Sequence, residues 1–355
     1  MFLSFTNHFS LVANIFLLGS SLCFAARSTP TFTHAAIVNQ NNKRVDINGF
    51  LNSGKGSHVL GISKLKKYFH QFGYLPSQYD DFSDNKFDAT FESAVIHYQS
   101  QLGLPVTGKL DFETVSKIMT PRCGVPDFHT AADTLHATKS YVFFPGKPRW
   151  ARHVPMKLTY AFSKDYLIKN LTISDIKVVF KGAFGKWASV IPVSFIETDD
   201  YGFADIRIGF YSGDHGDGEP FDGVLGVLAH SFSPESGKFH LDAAETWAID
   251  FEMEKSPVAI DLESVAIHEI GHLLGLAHSP NKEAVMYPTL KPRDKKLDLT
   301  LDDIQGVQAL YGSNPNFTFS SLLESDISTN QTVKLKIRWF LSATLILYHV
   351  LLMII

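Results

Sequence analysis

The segment from His268 to His278, with the sequence HEIGHLLGLAH, constrains this chain more than any other part of it. Two histidines four positions apart on a helix lie on the same face about one turn apart, so the imidazoles of His268 and His272 can converge on one cation. Glu269 lies roughly 100° further round the helix, where its carboxylate can reach a water molecule beside that cation. Gly275 can end the helix in a sharp turn and bring His278 back as a third ligand.

Three nitrogen ligands leave one coordination position of zinc open, which is typical of a catalytic rather than a structural site. The alternative is a buried amphipathic helix, because the region also contains apolar residues that could pack in a core without a metal. These residues are Val265, Ile267, Ile270, Leu273, Leu274 and Leu276. The fixed His, Glu and Gly positions together are expected by chance in roughly one in ten thousand chains of this length. The segment therefore predicts a catalytic zinc with Glu269 as the general base.

The same segment, with Ser279 after it, resembles the metzincins and in particular the matrixins, or matrix metalloproteinases. Met286 follows in a Val-Met-Tyr-Pro run that resembles the Met-turn of that family, whose methionine lies beneath the zinc. Taken alone, Met286 is better explained by ordinary core packing. The resemblance implies an α+β fold over residues 141–312, with a twisted, mostly parallel sheet and three helices. It also implies a metalloendopeptidase whose partners are extracellular protein substrates.

A second motif, PRCGVPD at residues 121–127, matches the cysteine switch of the matrixins at every position. A thiolate is a better zinc ligand than water, so Cys123 can fill the open position and keep the enzyme latent. The resemblance also implies that Arg122 pairs with Asp127 and fixes this loop. The alternative is an exposed loop whose cysteine has no function.

Residues 26–140, which end just after this motif, are predicted to form a prodomain. Three sets of apolar residues at helical spacing predict three helices. The sets are Leu65, Tyr68, Phe69 and Phe72; Phe91, Ala94, Val95 and Tyr98; and Phe112, Val115, Ile118 and Met119. With the turn from Gly103 to Gly108, they resemble the peptidoglycan-binding-like fold of matrixin prodomains. As a free-standing module such a fold could bind wall glycan, which is a competing hypothesis of another functional class.

The remaining elements are predicted from apolar periodicity in the catalytic region. Alternation predicts strands at 158–162, 206–210 and 247–251, and helical spacing with a capping-box pattern predicts helices at 176–187 and 301–311. By analogy with the family, we expect the substrate to add as a strand along the segment from Gly226 to His230. Leu290, where the family often has tyrosine, is expected on the wall of a pocket that prefers a hydrophobic side chain.

The polar, glycine-rich run from residue 212 to 247 is predicted to bind a second, structural zinc. Three histidines and one carboxylate form a tetrahedral ligand set, and they match the structural zinc ligands of the matrixins. The residues are His215, Asp217, His230 and His240. We therefore expect two zinc ions, one catalytic and one structural.

Residues on both sides of this set resemble the calcium loop of the family. Carboxylates and backbone carbonyls form the oxygen cage that calcium prefers. The predicted calcium residues are Asp222, Gly223, Leu225, Val227, Asp242 and Glu245. Asp205 lies where a second calcium ligand lies in the family, but the interval from His230 to His240 lacks the glycine-rich acidic loop of vertebrate members. At least one calcium is expected, and the second is left open.

The two ends of the chain have features of a secreted, surface-attached protein. Residues 1–25 read as a signal peptide, whose removal takes away Cys23 and leaves Cys123 as the one cysteine. No haemopexin-like domain is expected after Gly312, as in plant matrixins. Residues 313–338 form a polar linker with small residues at 325–330, and 339–355 form a GPI signal or a short membrane helix. Candidate glycosylation sites on this route are Asn170, Asn316 and Asn330.

The formal net charge of −4 gives no electrostatic reason to expect nucleic acid as a partner, and we expect a monomer. A catalytically silent surface protein is a further alternative, but such a protein would be expected to lack Glu269. Between Thr130 and Pro148 there is no dibasic site for a convertase. Self-cleavage or another extracellular protease is therefore expected to remove the prodomain.

Overall fold

The computed structural model describes residues 49–128 and 141–318. The predicted signal peptide, the hydrophobic segment 339–355 and Asn330 lie outside these ranges, as does most of the predicted linker. Residues 129–140, the predicted end of the prodomain, also lie outside them. None of the helices in the described ranges is long and apolar enough to cross a membrane.

Three helices form the first part of the described chain, as the periodicity predicts. They are α1 (Ile62–Gln71), α2 (Ala89–Gln101) and α3 (Phe112–Ile118). Asp88 and Asp111 cap α2 and α3, because each carboxylate accepts a hydrogen bond from a backbone N–H three residues later. Most of the predicted apolar residues are buried in one cluster. Phe112 is an exception and is 63% exposed, since it begins the short α3 and the buried face of that helix starts at Thr114.

The rest of the fold is built on one six-stranded sheet. Its strands are β1 (Arg122–Cys123), β2 (Met156–Phe162), β3 (Val193–Glu197), β4 (Ile206–Tyr211), β5 (Val227–Ser231) and β6 (Lys238–Asp242). The order across the sheet is β1-β5-β6-β4-β2-β3. Every neighbouring pair is parallel except β5 and β6, which are antiparallel. Two short strands, β7 (Trp247–Ala248) and β8 (Ile260–Asp261), form a separate parallel pair.

Three further helices complete the catalytic region, α4 (Ile173–Val190), α5 (Leu262–Leu273) and α6 (Leu301–Tyr311). Helix α6 begins with the predicted capping box of Thr300 and Asp303 and ends at Gly312. The indole of Trp187 on α4 donates to the carbonyl of Ile267 on α5 at 2.9 Å and locks the two helices together. Both helices pack on the sheet in one apolar core. The predicted α+β fold, with a mostly parallel sheet and three helices, is confirmed.

The predicted strand at 247–251 is wrong in its second half. Only Trp247 and Ala248 are strand, and the chain then turns, with Met253 N–H donating to the carbonyl of Asp250. The guanidinium of Arg293 holds this turn, because it donates to the carbonyl of Phe251 and to two carbonyls beyond it. The alternating apolar pattern alone gave no sign of this long-range partner.

Candidate active site and metal centres

Helix α5 positions the two histidines that open the motif. Asp261 caps its first turn through Ser264 N–H at 2.8 Å. The helix ends at Leu273, with Leu274 as its C-cap. Gly275 follows with φ +101°, a left-handed conformation in which a Cβ would also overlap the carbonyl of Pro148. The chain therefore reverses where the sequence predicts and returns His278 to the same site.

The three histidines of the motif converge. His272 Nε2 lies 3.1 Å from His268 Nε2 and 3.2 Å from His278 Nε2. His268 Nδ1 donates to the carbonyl of Val285 at 2.7 Å and His272 Nδ1 donates to that of Leu276 at 2.8 Å, which turns both Nε2 atoms toward the common point. All three rings are buried.

Cys123 from the switch motif completes this group. Its Sγ lies 3.4 Å from His272 Nε2, and the four candidate ligand atoms lie within 4.8 Å of one another. Ligands bound to zinc at about 2.0–2.3 Å in a tetrahedron are separated by similar distances. Burial lowers the pKa of His268 well below its ordinary value and raises that of the Cys123 thiol, with the charge of Glu269 adding to the second effect. A neutral imidazole suits a metal, and a thiolate here requires a cation, so the donor set fits zinc.

Glu269 lies beside this group, fully buried in helix α5. Its Oε2 has no hydrogen-bond partner within the described residues. Burial raises the pKa of Glu269 to about 7, with a partial offset from the neighbouring Cys123 thiol and Ser231 hydroxyl. A carboxyl with a pKa near neutrality and a free oxygen is suited to accept and return a proton.

Met286, the methionine of the predicted Met-turn, is buried against helix α5. It packs against Gly271 so closely that a Cβ on the glycine would overlap its sulfur. The backbone N–H groups of Val285 and Met286 donate to the carboxylate of Asp303. Met286 is therefore held in place by helix α6 as well as by the core.

The switch segment lies in the cleft as an added strand. Arg122 N–H donates to the carbonyl of Gly226 at 3.0 Å and Gly124 N–H to that of Ala229 at 2.8 Å, so the segment pairs with the outer edge of β5. On its other side, Cys123 N–H donates to the carbonyl of Pro288 at 2.9 Å. The segment thus occupies the edge that we expected a substrate to use.

Arg122 and Asp127 form the predicted ion pair, at 2.7 Å, with both side chains almost completely buried. Burial opposes ionisation of Asp127, but the charge of Arg122 and a hydrogen bond from His278 outweigh it and hold the pKa of Asp127 well below its usual range. His278 Nδ1 lies 2.7 Å from Asp127 Oδ1. The phenol of Tyr74 donates to the other carboxylate oxygen. The contact with His278 has no signal in the sequence, because it depends on how the two domains pack. The contact with Tyr74 has none either, because the two residues are 53 positions apart within the prodomain.

A pocket opens next to the thiol of Cys123 and the carboxylate of Glu269. Its lining is largely apolar and includes Leu228, Val265, Val285, Tyr287 and Leu290, together with Lys296. The position of Leu290 agrees with its expected place on a pocket wall. The apolar lining supports the expected hydrophobic preference, which stays a prediction.

The four predicted ligands of the structural zinc also come together. Asp217 Oδ2 lies 2.9 Å from His215 Nε2, 2.8 Å from His230 Nε2 and 2.7 Å from His240 Nδ1. His230 and His240 are directly opposed on the antiparallel pair of β5 and β6, which sets their spacing. The ring of His215 is stacked on that of Phe221.

These four side chains fit a cation chemically. Burial lowers the pKa of His240 to about 4 and lowers that of His230, so both imidazoles are neutral at physiological pH. Within the ranges 49–128 and 141–318, this cluster and the one around Cys123 are the two groups of side chains close enough to hold a metal ion through His, Cys or carboxylate atoms alone. Neutral imidazoles around one carboxylate match the preference of zinc.

The predicted calcium loop brings three carboxylates to one place through backbone contacts. Gly223 N–H donates to Asp242, Leu225 N–H to Glu245 and Val227 N–H to Asp222. Glu245 Oε2 is buried without a hydrogen bond from any described residue. Burial and the neighbouring carboxylates raise the pKa of Glu245 to about 8 and that of Asp242 to about 6. A hard cation would relieve both effects, so the loop fits calcium.

Asp205, the candidate for a second calcium, has protein partners on both oxygens. Oδ1 pairs with Arg152 at 3.1 Å, and Oδ2 accepts hydrogen bonds from the backbone and hydroxyl of Thr159. The second calcium stays a prediction. Arg152 and Thr159 would compete with that ion for the oxygens of Asp205. Asn170 and Asn316 are exposed, as a glycan requires.

Two family models match this sequence. The model described as Matrixin matches residues 149–312, and the model described as Putative peptidoglycan binding domain matches residues 60–118. The first range contains both candidate zinc clusters except Cys123, and the second contains helices α1 to α3.

The chain is also similar to individual proteins over most of its length. It is 62% identical to Metalloendoproteinase 4-MMP of Arabidopsis thaliana over 272 residues, which are 76% of this chain and 78% of the relative. It is 52% identical to Metalloendoproteinase 1-MMP of the same plant over 335 residues, which are 92% of this chain and 90% of the relative. It is 41% identical to human Matrix metalloproteinase-20 over 74% of this chain and 50% of that relative.

Proposed function

This chain belongs to the matrixin family of zinc-dependent endopeptidases, and we propose that it is made as a secreted zymogen kept latent by Cys123. The observation that supports this most directly is the convergence of the Cys123 thiol with the imidazoles of His268, His272 and His278. One thiol from the prodomain and three imidazoles from the catalytic region form a closed set of four ligands. Removal of the thiol leaves the open position that catalysis needs.

In the active enzyme we assign the general base to Glu269. Zinc at the three histidines supplies Lewis-acid polarisation of the scissile carbonyl and makes water a better nucleophile. Glu269 takes the proton of the attacking water and passes it to the leaving amine, for which its place beside the three histidines is suited. The exposed edge of β5, once free of the switch segment, holds the substrate backbone as an added strand.

Latency follows from the same geometry. The segment from Arg122 to Gly124 takes the place of the substrate strand and its thiol takes the place of water. The buried pair of Arg122 and Asp127 keeps the segment in the cleft. A thiol reagent or a cut after the switch therefore activates the enzyme.

Zinc and calcium are cofactors of this family, and we assign their further sites to the two clusters described above. The structural zinc is held by His215, Asp217, His230 and His240. The calcium loop comprises Asp222, Gly223, Leu225, Val227, Asp242 and Glu245, with Asp205 as a second candidate position. Both sites stabilise the edge of β5, for which the substrate and the prodomain compete.

Matrixins are extracellular enzymes that act on protein substrates. For this chain we propose a signal peptide at 1–25, a prodomain at 26–140 and a catalytic domain at 141–312. We further propose glycosylation at exposed sequons, a monomeric state, and a GPI anchor directed by residues 339–355. Phosphatidylinositol-specific phospholipase C is then expected to release the protein from cell surfaces. Retention, with the 339–355 peptide still in the mature chain, would instead support a membrane helix.

The test of the catalytic assignment is Glu269→Gln in the activated enzyme. We expect turnover of a quenched peptide to fall about 10²- to 10⁴-fold with two zinc ions still bound. The matched control is Glu263→Gln, in the first turn of the same helix, which should leave turnover unchanged. Near-full activity of a zinc-loaded Glu269→Gln enzyme would refute the assignment.

A further inference from the structure

The three histidines of the catalytic site differ in the hydrogen-bond partner of their second ring nitrogen, Nδ1. His268 and His272 donate from Nδ1 to backbone carbonyls of the catalytic region. His278 Nδ1 instead lies 2.7 Å from Asp127 Oδ1, a carboxylate of the switch segment. One of the three candidate zinc ligands is therefore oriented by the prodomain.

Several further contacts hold Asp127 in position beside His278. Its side chain is completely buried and paired with the guanidinium of Arg122, and its other oxygen accepts from the phenol of Tyr74. Its backbone N–H donates to the carbonyl of Phe72 at 3.1 Å, which fastens it to helix α1's end. An ionised carboxylate can only accept hydrogen bonds, so the proton must lie on His278 Nδ1 and the lone pair on Nε2 faces the other histidines.

We propose that Asp127 is a positioning residue for the catalytic zinc, so that the zymogen binds zinc more tightly than the mature enzyme for a reason separate from Cys123. A carboxylate on the far nitrogen of a ligating histidine fixes its tautomer and ring orientation and increases its basicity. Loss of such a partner typically weakens metal binding about 10- to 100-fold. Removal of the prodomain takes away this carboxylate together with the thiol. The inference rests on the proposed zinc site at His268, His272 and His278.

The test uses the uncut full chain with Cys123→Ala and Glu269→Gln, which remove thiol ligation and self-cleavage. The zinc dissociation constant of the catalytic site is measured by competition with a chelator of known affinity, and the same background with His272→Ala identifies that site. Adding Asp127→Asn should weaken binding about 10-fold or more. The matched control Tyr74→Phe removes one hydrogen bond to Asp127 but leaves its contact with His278, so it should leave the dissociation constant within about twofold of the background.

The zinc dissociation constant distinguishes this proposal from a simple loosening of the switch segment. Easier access would speed zinc binding and release equally and leave the dissociation constant unchanged, and that result would overturn the proposal. If Asp127→Asn does not fold, Arg122→Met with Asp127→Asn removes both buried charges together and should show the same weakening. In NMR spectra, the Nδ1 proton of His278 should move upfield in either variant. If His272→Ala loses no zinc, the proposed catalytic site itself is wrong.

Discussion

The sulfur of Cys123 lies 3.4 Å from Nε2 of His272, although 149 positions separate the two residues in the chain. The thiol reaches this position because its strand, β1, is added to the edge of β5, whose other partner is β6. The same edge is free for a substrate only when the prodomain has left. In the function proposed above, latency and substrate binding are therefore alternative uses of one strand edge.

The buried ion pair of Arg122 and Asp127 predicts a large effect of one substitution. Arg122→Met leaves the Asp127 carboxylate buried without its cation, which typically costs about 3–5 kcal/mol. We expect a lower free energy of unfolding in urea, measured in a Glu269→Gln background, and faster self-cleavage in the otherwise wild-type zymogen.

The pair of Lys55 and Glu92 provides the matched control. It is an exposed ion pair at 3.4 Å, and such pairs contribute about 1 kcal/mol or less. Lys55→Met should therefore change neither the unfolding midpoint nor the rate of self-cleavage appreciably. Equal urea midpoints for Arg122→Met and Lys55→Met would contradict the role given to the buried pair.

A second prediction concerns Lys117, which α3 places over the ring of Tyr287 at the boundary between prodomain and catalytic region. Burial, with the charges of Lys282, Lys291 and Lys296, lowers the pKa of Lys117 to about 8. The docked state thus disfavours the charged lysine. We expect Lys117→Met to stabilise the zymogen at pH 7 by about 1 kcal/mol, since the group is partly solvated.

The sign of the pH dependence follows from this lowered pKa. Between pH 8 and about 10.5, the unfolded chain keeps the proton of Lys117 and the folded chain does not, so this group makes stability rise with pH. The free energy of unfolding in urea should increase less between pH 7.5 and 9.5 for Lys117→Met than for the exposed-lysine control Lys67→Met. The same increase in both variants would exclude Lys117 as its source.

A third prediction concerns calcium. Glu245 Oε2 is buried without a partner in the described structure, and a cation at this loop would satisfy it. Dialysis from calcium into calcium-free buffer that retains zinc should lower the Tm by roughly 5–10 °C. Glu245→Gln should abolish this calcium effect, whereas Glu252→Gln, which is exposed, should keep it. A full calcium effect in Glu245→Gln would place the ion elsewhere.

Much of the fold and of the candidate site could be predicted from local sequence patterns. The spacing of metal ligands on a helix or hairpin largely determines whether they converge, with little influence from distant parts of the chain. The convergence of His268, His272 and His278 follows from helix geometry and one glycine. The α+β fold and the three prodomain helices follow from periodicity and family resemblance. Periodicity misplaced Phe112, which is exposed at a helix start.

Contacts between distant segments were not predictable in the same way. The hydrogen bond of His278 to Asp127 joins two domains, and no spacing rule relates them. The turn after Ala248 depends on Arg293, which lies more than forty positions further along the chain. The addition of the switch segment to β5 as a parallel strand also appears only when the two domains are packed. The proposed latency depends on these long-range contacts, whereas the proposed chemistry depends on the local motifs.

The most direct test of the central claim is the activity of uncut Cys123→Ser zymogen on a quenched peptide. A neutral hydroxyl is a much poorer zinc ligand than a thiolate, so the variant should cleave the peptide while mass spectrometry shows the intact chain. Cys123→Ser with Glu269→Gln should be inactive, which excludes a contaminating protease. If the intact serine variant is as inactive as the wild-type zymogen, the prodomain blocks the cleft by bulk alone and the thiol does not maintain latency.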